Sequence, residues 1–102
     1  MDQEFREGRL YLRRNPEERQ PIVARLARIE GQVRGIRQMI EEDRYCGDEL
    51  QQASAVMAAM REVAVLITLQ HCEAGIHHAL SNSDRDATTE DMMKVLRSAL
   101  KL

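Results

Sequence analysis

The sequence predicts a small all-α protein whose protomer has three helices and completes its core by assembling with further copies. The 102 residues include one Phe, two Tyr and no Trp, while 43% of them are hydrophobic. In two long segments the apolar residues recur at alternating intervals of four and three, which is typical of amphipathic helices. A short helical chain with so thin a core commonly buries more surface by oligomerising.

Residues 1–15 are polar and weakly patterned, and we expect a flexible or partly helical N-terminal arm there. Residues 16–102 are predicted to form a single three-helix domain. Its first helix has a start signal, because Asn15 can cap the helix, Pro16 suits the first helical position and two acidic residues follow. We expect Pro21 to delay the regular helix to about residue 20. The apolar positions of this helix are Ile22, Leu26, Ile29, Val33, Ile36 and Ile40.

The second predicted helix covers residues 45–80 and carries an apolar seam on one face. The seam comprises Cys46, Leu50, Ala53, Met57, Met60, Ala64, Ile67, His71, Ala74 and His78. As one helix, Cys46 and His71 are roughly 37 Å apart, so they cannot meet within one chain. If two copies pack antiparallel along this seam, Cys46 of one copy lies opposite His71 of the other. This crossing is the central structural hypothesis.

A third helix is predicted over residues 88–101. Thr88 and Asp91 are spaced as a capping pair, and basic residues follow toward its end. The break between the first two helices is short, so the second should fold back antiparallel on the first. The methionines, Met92 among them, are expected to fill gaps between packed helices.

The charge is uneven along the chain. Residues 1–40 carry nine Arg and six acidic residues, net +3, whereas the rest of the chain is net −5. Arginine is the residue that contacts phosphate groups in a bidentate manner. The two cysteines, without an apparent signal peptide or membrane span, predict a cytoplasmic protein with free, metal-bound or redox-sensing thiols.

Cys46 and His71 together offer a thiolate and an imidazole, which suit Cu(I), Ni(II), Co(II) or Zn(II). Cys72 and His78 are further candidate ligands. In the antiparallel pairing, Cys72 faces roughly residue 45 of the other copy, so a Cys46–Cys72 disulfide or polysulfide link is an alternative. No orienting acid or oxyanion loop is evident, and an enzyme is not predicted.

The run RLARIEGQVRGI at residues 25–36, followed by Tyr45-Cys46 and by His71, resembles the signature of the CsoR/RcnR/FrmR family of bacterial repressors. The resemblance implies a three-helix protomer, an antiparallel dimer and a flat tetramer formed as a dimer of dimers. It also implies a sensing site between protomers at Cys46 and His71, and release of operator DNA when an inducer binds.

The resemblance further implies that Arg25 contacts DNA. From charge and helix face we extend this set to Arg14, Arg28, Arg34 and Arg37. Tyr45 and Glu90 are expected to contact the metal-binding side chains without binding the metal themselves.

The chain departs from the family pattern at Gly75, where copper sensors place a third ligand, Cys, and nickel or cobalt sensors place His. The sequence therefore does not decide the identity of the inducer. A transition metal such as Cu(I) or Ni(II) is the first hypothesis. The alternatives are a thiol-based sensor of reactive sulfur, oxidants or formaldehyde at Cys46, with or without Cys72, and a metal-binding helical oligomer that does not regulate DNA.

Overall fold

A computed structural model describes all residues from 1 to 102 and confirms the three-helix protomer. The elements in chain order are β1 (Asp2–Arg6), β2 (Arg9–Arg13), α1 (Pro16–Glu41), α2 (Cys46–Ser81) and α3 (Arg85–Leu100). The small two-stranded sheet is an addition to the predicted fold class.

The N-terminal segment forms an antiparallel β-hairpin, so the partly helical conformation expected there is wrong. Phe5 pairs with Leu10 across the hairpin, and the two turn residues Glu7 and Gly8 both have positive φ, 52° and 77°. Two central residues with positive φ match the twist of the flanking strands, and Gly8 adopts this conformation at little steric cost. Leu10 anchors the hairpin on the helices, since only 5% of its surface is exposed.

Helix α1 begins at Pro16, earlier than the start near residue 20 that Pro21 suggested. The Asn15 side chain accepts from the Glu18 backbone N–H at 2.8 Å, and the Glu18 carboxylate accepts from the Asn15 backbone N–H at 3.0 Å. This reciprocal cap satisfies two N–H groups that a helix start otherwise leaves unpaired. The first turn therefore forms despite the hydrogen bond that Pro21 cannot donate.

The core of the protomer is small and lies between α1 and α2. Ile22, Ile29 and Val63 form its buried centre. Around them pack Leu26, Val56, Ala59 and Leu66. Only nine of the 102 residues are buried, in a protomer that measures 58 × 28 × 18 Å. So elongated a shape has little interior, which agrees with a chain that needs a partner to complete its core.

The apolar seam of α2 lies largely outside this core. Leu50 is 70% exposed, Met57 56%, Met60 43% and Ile67 41%, because α2 turns a different stripe of residues toward α1. By length and composition alone α2 is also apolar enough to cross a membrane, with 6% of its most apolar window buried in the protomer. An exposed apolar surface of this kind is expected to be buried against another molecule.

Helix α3 begins at Arg85, and the predicted capping pair at its start is wrong. Thr88 is fully buried inside the helix, where its hydroxyl donates to the Asp84 carbonyl oxygen at 2.9 Å. Asp91 points away from the helix end, toward the hairpin and α2. Helix α3 packs along the C-terminal half of α2, and this placement builds the site described next.

Candidate metal centre

His71 lies on α2 and is held by Asp91 of α3. The His71 Nε2 atom is 3.0 Å from the Asp91 Oδ2 atom, and the two side chains are 12% and 7% exposed. The same carboxylate oxygen accepts the backbone N–H of Leu10 at 3.2 Å. Since a carboxylate offers only acceptors, His71 donates from Nε2, and in the neutral imidazole the lone pair on Nδ1 is then the one that can bind a metal ion.

The carboxylate beside His71 belongs to Asp91, whereas the sequence suggested Glu90. Glu90 is exposed on the outer side of α3. Neighbouring residues of a helix differ by about 100° in direction, so an error of one position turns a side chain from the site to solvent. Tyr45, the other residue expected near the ligands, is 75% exposed with its ring over Gly47.

Replacing Asp91 by Asn is expected to lower the free energy of unfolding by about 1–3 kcal/mol, because a charged acceptor shared by two buried donors is lost. Hydrogen exchange at the Leu10 amide should accelerate as the hairpin loosens. Denaturant unfolding and exchange measured by NMR check both effects. The matched variant Glu90→Gln should stay within about 0.5 kcal/mol of the native protein. Equal effects of the two variants would contradict the assignment.

Cys46 is the first residue of α2, and its thiol is exposed and free. Because α2 is continuous from Cys46 to Ser81, Cys46 and His71 are separated by roughly 37 Å along one helix. Within one chain no group of three or more His, Cys, Asp or Glu side chains lies close enough to hold a metal ion. A metal bound by both residues therefore requires two copies.

Cys72 and His78 have different surroundings. Cys72 is a free, half-buried thiol next to His71 in sequence, about 100° away around the helix. The His78 ring nitrogens contact Asp84 Oδ2 at 3.0 Å and Asn82 Nδ2 at 3.2 Å. Its ring also stacks on Phe5, with centroids 5.6 Å apart. His78 thus ties the hairpin to the end of α2, and its role as a metal ligand stays a prediction.

The donor set fits a metal ion held between copies. Cys46 offers an exposed thiol, His71 offers an imidazole whose orientation Asp91 fixes, and the seam between them is uncovered. An imidazole held by a carboxylate in this way is a common feature of metal sites.

The arginines predicted to contact DNA do not share one face. At about 100° per residue, Arg25 and Arg28 lie on one side of the buried stripe of α1, and Arg34 and Arg37 lie on the other. Arg25 pairs with Glu62 at 2.9 Å, and Arg37 contacts Glu41 at 3.7 Å.

Arg28 and Arg34 are exposed and make no ion pair within the protomer. Arg14, the remaining member of the set, is half-buried and donates from Nε to the Gln70 side-chain oxygen. Of the five arginines predicted to contact DNA, Arg28 and Arg34 are therefore the ones most available to a phosphate.

Comparison with known proteins agrees with the family resemblance seen in the sequence. Residues 18–98 match the family described as metal-sensitive transcriptional repressor. The chain is 40% identical over 88 residues to the copper-sensing transcriptional repressor CsoR of Bacillus subtilis (strain 168). That match covers 86% of this chain and 87% of the relative.

Two solved structures share the fold. One is the copper-sensing repressor CsoR with Cu(I) from Geobacillus thermodenitrificans NG80-2, which matches with a TM-score of 0.77 and 36% identity, covering 86% of this chain and 92% of that one. The other is the nickel-responsive transcriptional regulator InrS, with a TM-score of 0.74 and 30% identity, covering 87% and 97%. The predicted family resemblance and the three-helix fold are both confirmed.

Proposed function

Because this chain belongs to the family of metal-sensitive transcriptional repressors, we propose that it represses transcription by binding operator DNA in its metal-free form and leaves the DNA when Cu(I) binds. The ion would bind between two copies, to Cys46 of one and to His71 of the other. A repressor that binds operator DNA would act in the cytoplasm. The family consists of repressors and not of enzymes.

One observation carries the proposal: the two ligand residues lie near opposite ends of an exposed apolar seam on one continuous helix. Residues Leu50, Met57, Met60 and Ile67 of that seam are each more than two-fifths exposed. Antiparallel packing of two copies would cover them and bring each Cys46 to the partner's His71. The same packing would account for the apolar character of α2 without a membrane. It would give an antiparallel dimer, and a tetramer would be built from two such dimers.

The metal would supply the signal, and the protein residues would convert it into a change of shape. A metal ion bound at His71 Nδ1 would constrain an imidazole whose Nε2 contacts Asp91, and Asp91 also holds the hairpin through Leu10. A ligand shifts a conformational equilibrium only by its different affinity for the two states. A site shared by two copies meets this requirement, because its geometry changes whenever the copies move relative to each other.

A band-shift titration with promoter fragments tests the proposal. The reduced, metal-free protein should bind its operator, and Cu(I) added without oxygen should release it. No binding by the reduced, metal-free protein would defeat the repressor hypothesis. Release by polysulfide or formaldehyde but not by Cu(I) would favour the thiol-based alternative. Metal binding that leaves DNA affinity unchanged would favour the non-regulatory oligomer.

The thiol alternative has its own structural support, because Cys46 and the half-buried Cys72 are both free. Intact mass under denaturing conditions after polysulfide treatment separates the two hypotheses. A covalent dimer that disappears in Cys72→Ser would favour thiol chemistry, whereas reversible metal binding without a mass change would favour the metal.

A further inference from the structure

The side chain of Met92 fills the space beside Gly75, at the position where the donor set lacks a third ligand. Gly75 is buried on α2. A Cβ atom added to it would lie 2.7 Å from Met92 Cγ and 3.3 Å from Cε, and would overlap the thioether sulfur. Real carbon atoms do not approach so closely, so Met92 occupies the volume that a side chain at residue 75 would take.

This sulfur lies at the Gly75 position of α2, one helical turn from His71. Residues 71 and 75 are one turn apart on the same face of α2, with Cβ positions about 5–6 Å apart. On α3, Asp91 and Met92 point about 100° apart, yet both face α2, since the Asp91 carboxylate contacts the His71 ring at 3.0 Å and Met92 contacts the Gly75 position. The Met92 thioether and the His71 imidazole therefore both lie at the interface between α2 and α3.

We propose that Met92 supplies its thioether sulfur as the third ligand of the metal ion, together with His71 of the same copy and Cys46 of the other. The inference rests on the proposed function, and it names the metal that the site selects. A side chain on α3 provides the donor that Gly75 cannot provide on α2.

A thiolate, a thioether and an imidazole form a soft donor set that suits Cu(I) better than Ni(II), Co(II) or Zn(II). Met92 is thus a determinant of metal specificity as well as a ligand.

The variant Met92→Leu tests the proposal, because it keeps the volume and removes the sulfur, a change that usually costs less than about 1.5 kcal/mol of stability. Cu(I) affinity, measured without oxygen by competition with a chromophoric chelator, should fall by about 10–100-fold, as when other contacts that support a metal are removed. X-ray absorption should count two sulfur neighbours of Cu(I) in the native protein and one in the variant.

The neighbouring methionine provides a matched control. Met93 is 45% exposed on α3, so Met93→Leu should keep native affinity and both sulfur neighbours. If Met92→Leu also keeps the native affinity and both sulfur neighbours, Met92 only fills space between the helices and the proposal is wrong. Loss of Cu(I) binding in Met92→Leu with no loss in Cys46→Ser would instead contradict the proposed function, so the two failures are distinguishable.

A double variant tests the proposal independently of Met92→Leu. In Met92→Ala/Gly75→Cys, the alanine empties the space and the new thiol can enter it. We expect this variant to regain a second sulfur neighbour and to bind Cu(I) more tightly than Met92→Ala. Equal affinities of these two variants would overturn the proposal, since a donor at this place would then contribute nothing.

Discussion

Cys46→Ser is expected to abolish the release of operator DNA by Cu(I) while leaving the DNA affinity of the metal-free protein unchanged. Serine preserves the shape of an exposed side chain but provides no thiolate, so the fold should not respond. Cu(I) affinity should fall by more than about a hundredfold, because even the loss of an outer hydrogen-bond partner costs 10–100-fold. Chelator competition and band-shift titration measure the two quantities.

Cys72→Ser is the matched control, since it removes the other thiol of the chain. It should retain both Cu(I) affinity and release. If Cys72→Ser loses release and Cys46→Ser retains it, the ligand assignment is wrong.

Mixing two inactive variants shows whether the site is shared between copies. Cys46→Ser retains His71, and His71→Leu retains Cys46, so a mixed antiparallel dimer has one complete site. After unfolding and refolding an equimolar mixture, about a quarter of the Cu(I) sites should return, because half of the dimers are mixed and each has one intact site of two. A site within a single protomer could never be restored in this way, and no recovery would contradict the crossing of Cys46 and His71.

Replacing Arg28 and Arg34 together by Gln is expected to lower the DNA affinity of the metal-free protein. Both side chains are exposed and unpaired, so the free energy of unfolding should change by no more than about 0.5 kcal/mol. The slope of log affinity against log salt should decrease by about 0.9 for each phosphate contact removed. Arg97→Gln, which removes one positive charge from α3 as each single variant does from α1, should leave the slope unchanged. Binding measured at several salt concentrations checks the result.

The single variants distinguish the two sides of α1. Arg28 lies with Arg25 on one side of the buried stripe, and Arg34 lies with Arg37 on the other. If only one single variant lowers the slope, that side contacts DNA. If neither variant nor the double variant alters it, the DNA surface lies elsewhere on the protein.

The helices could be predicted from the sequence because their signals are local. The cap at Asn15 and Glu18, the apolar repeats and the short break before Tyr45 each involve residues within a few positions of one another. The hairpin also has a local signal in the sequence. A Glu7-Gly8 turn between short runs containing Phe5, Leu10 and Leu12 is compatible with paired strands.

The details of the site could not be predicted, because they depend on contacts between helices. The rotation of α3 on α2 decides that Asp91, and not Glu90, contacts His71. The same rotation buries Thr88 and brings Met92 against Gly75. A change of one residue turns a side chain by about 100°, which sequence spacing alone cannot resolve across two packed helices.

The sequence by itself thus determined the family, the three helices and the presence of Cys46 and His71 on one seam, since all of these follow from motif and periodicity. Only the tertiary structure decided which carboxylate holds His71, which arginines remain unpaired and which sulfur fills the space at Gly75. The physical reason is that packing sets the rotation and crossing of each helix, and these in turn set which side chains meet.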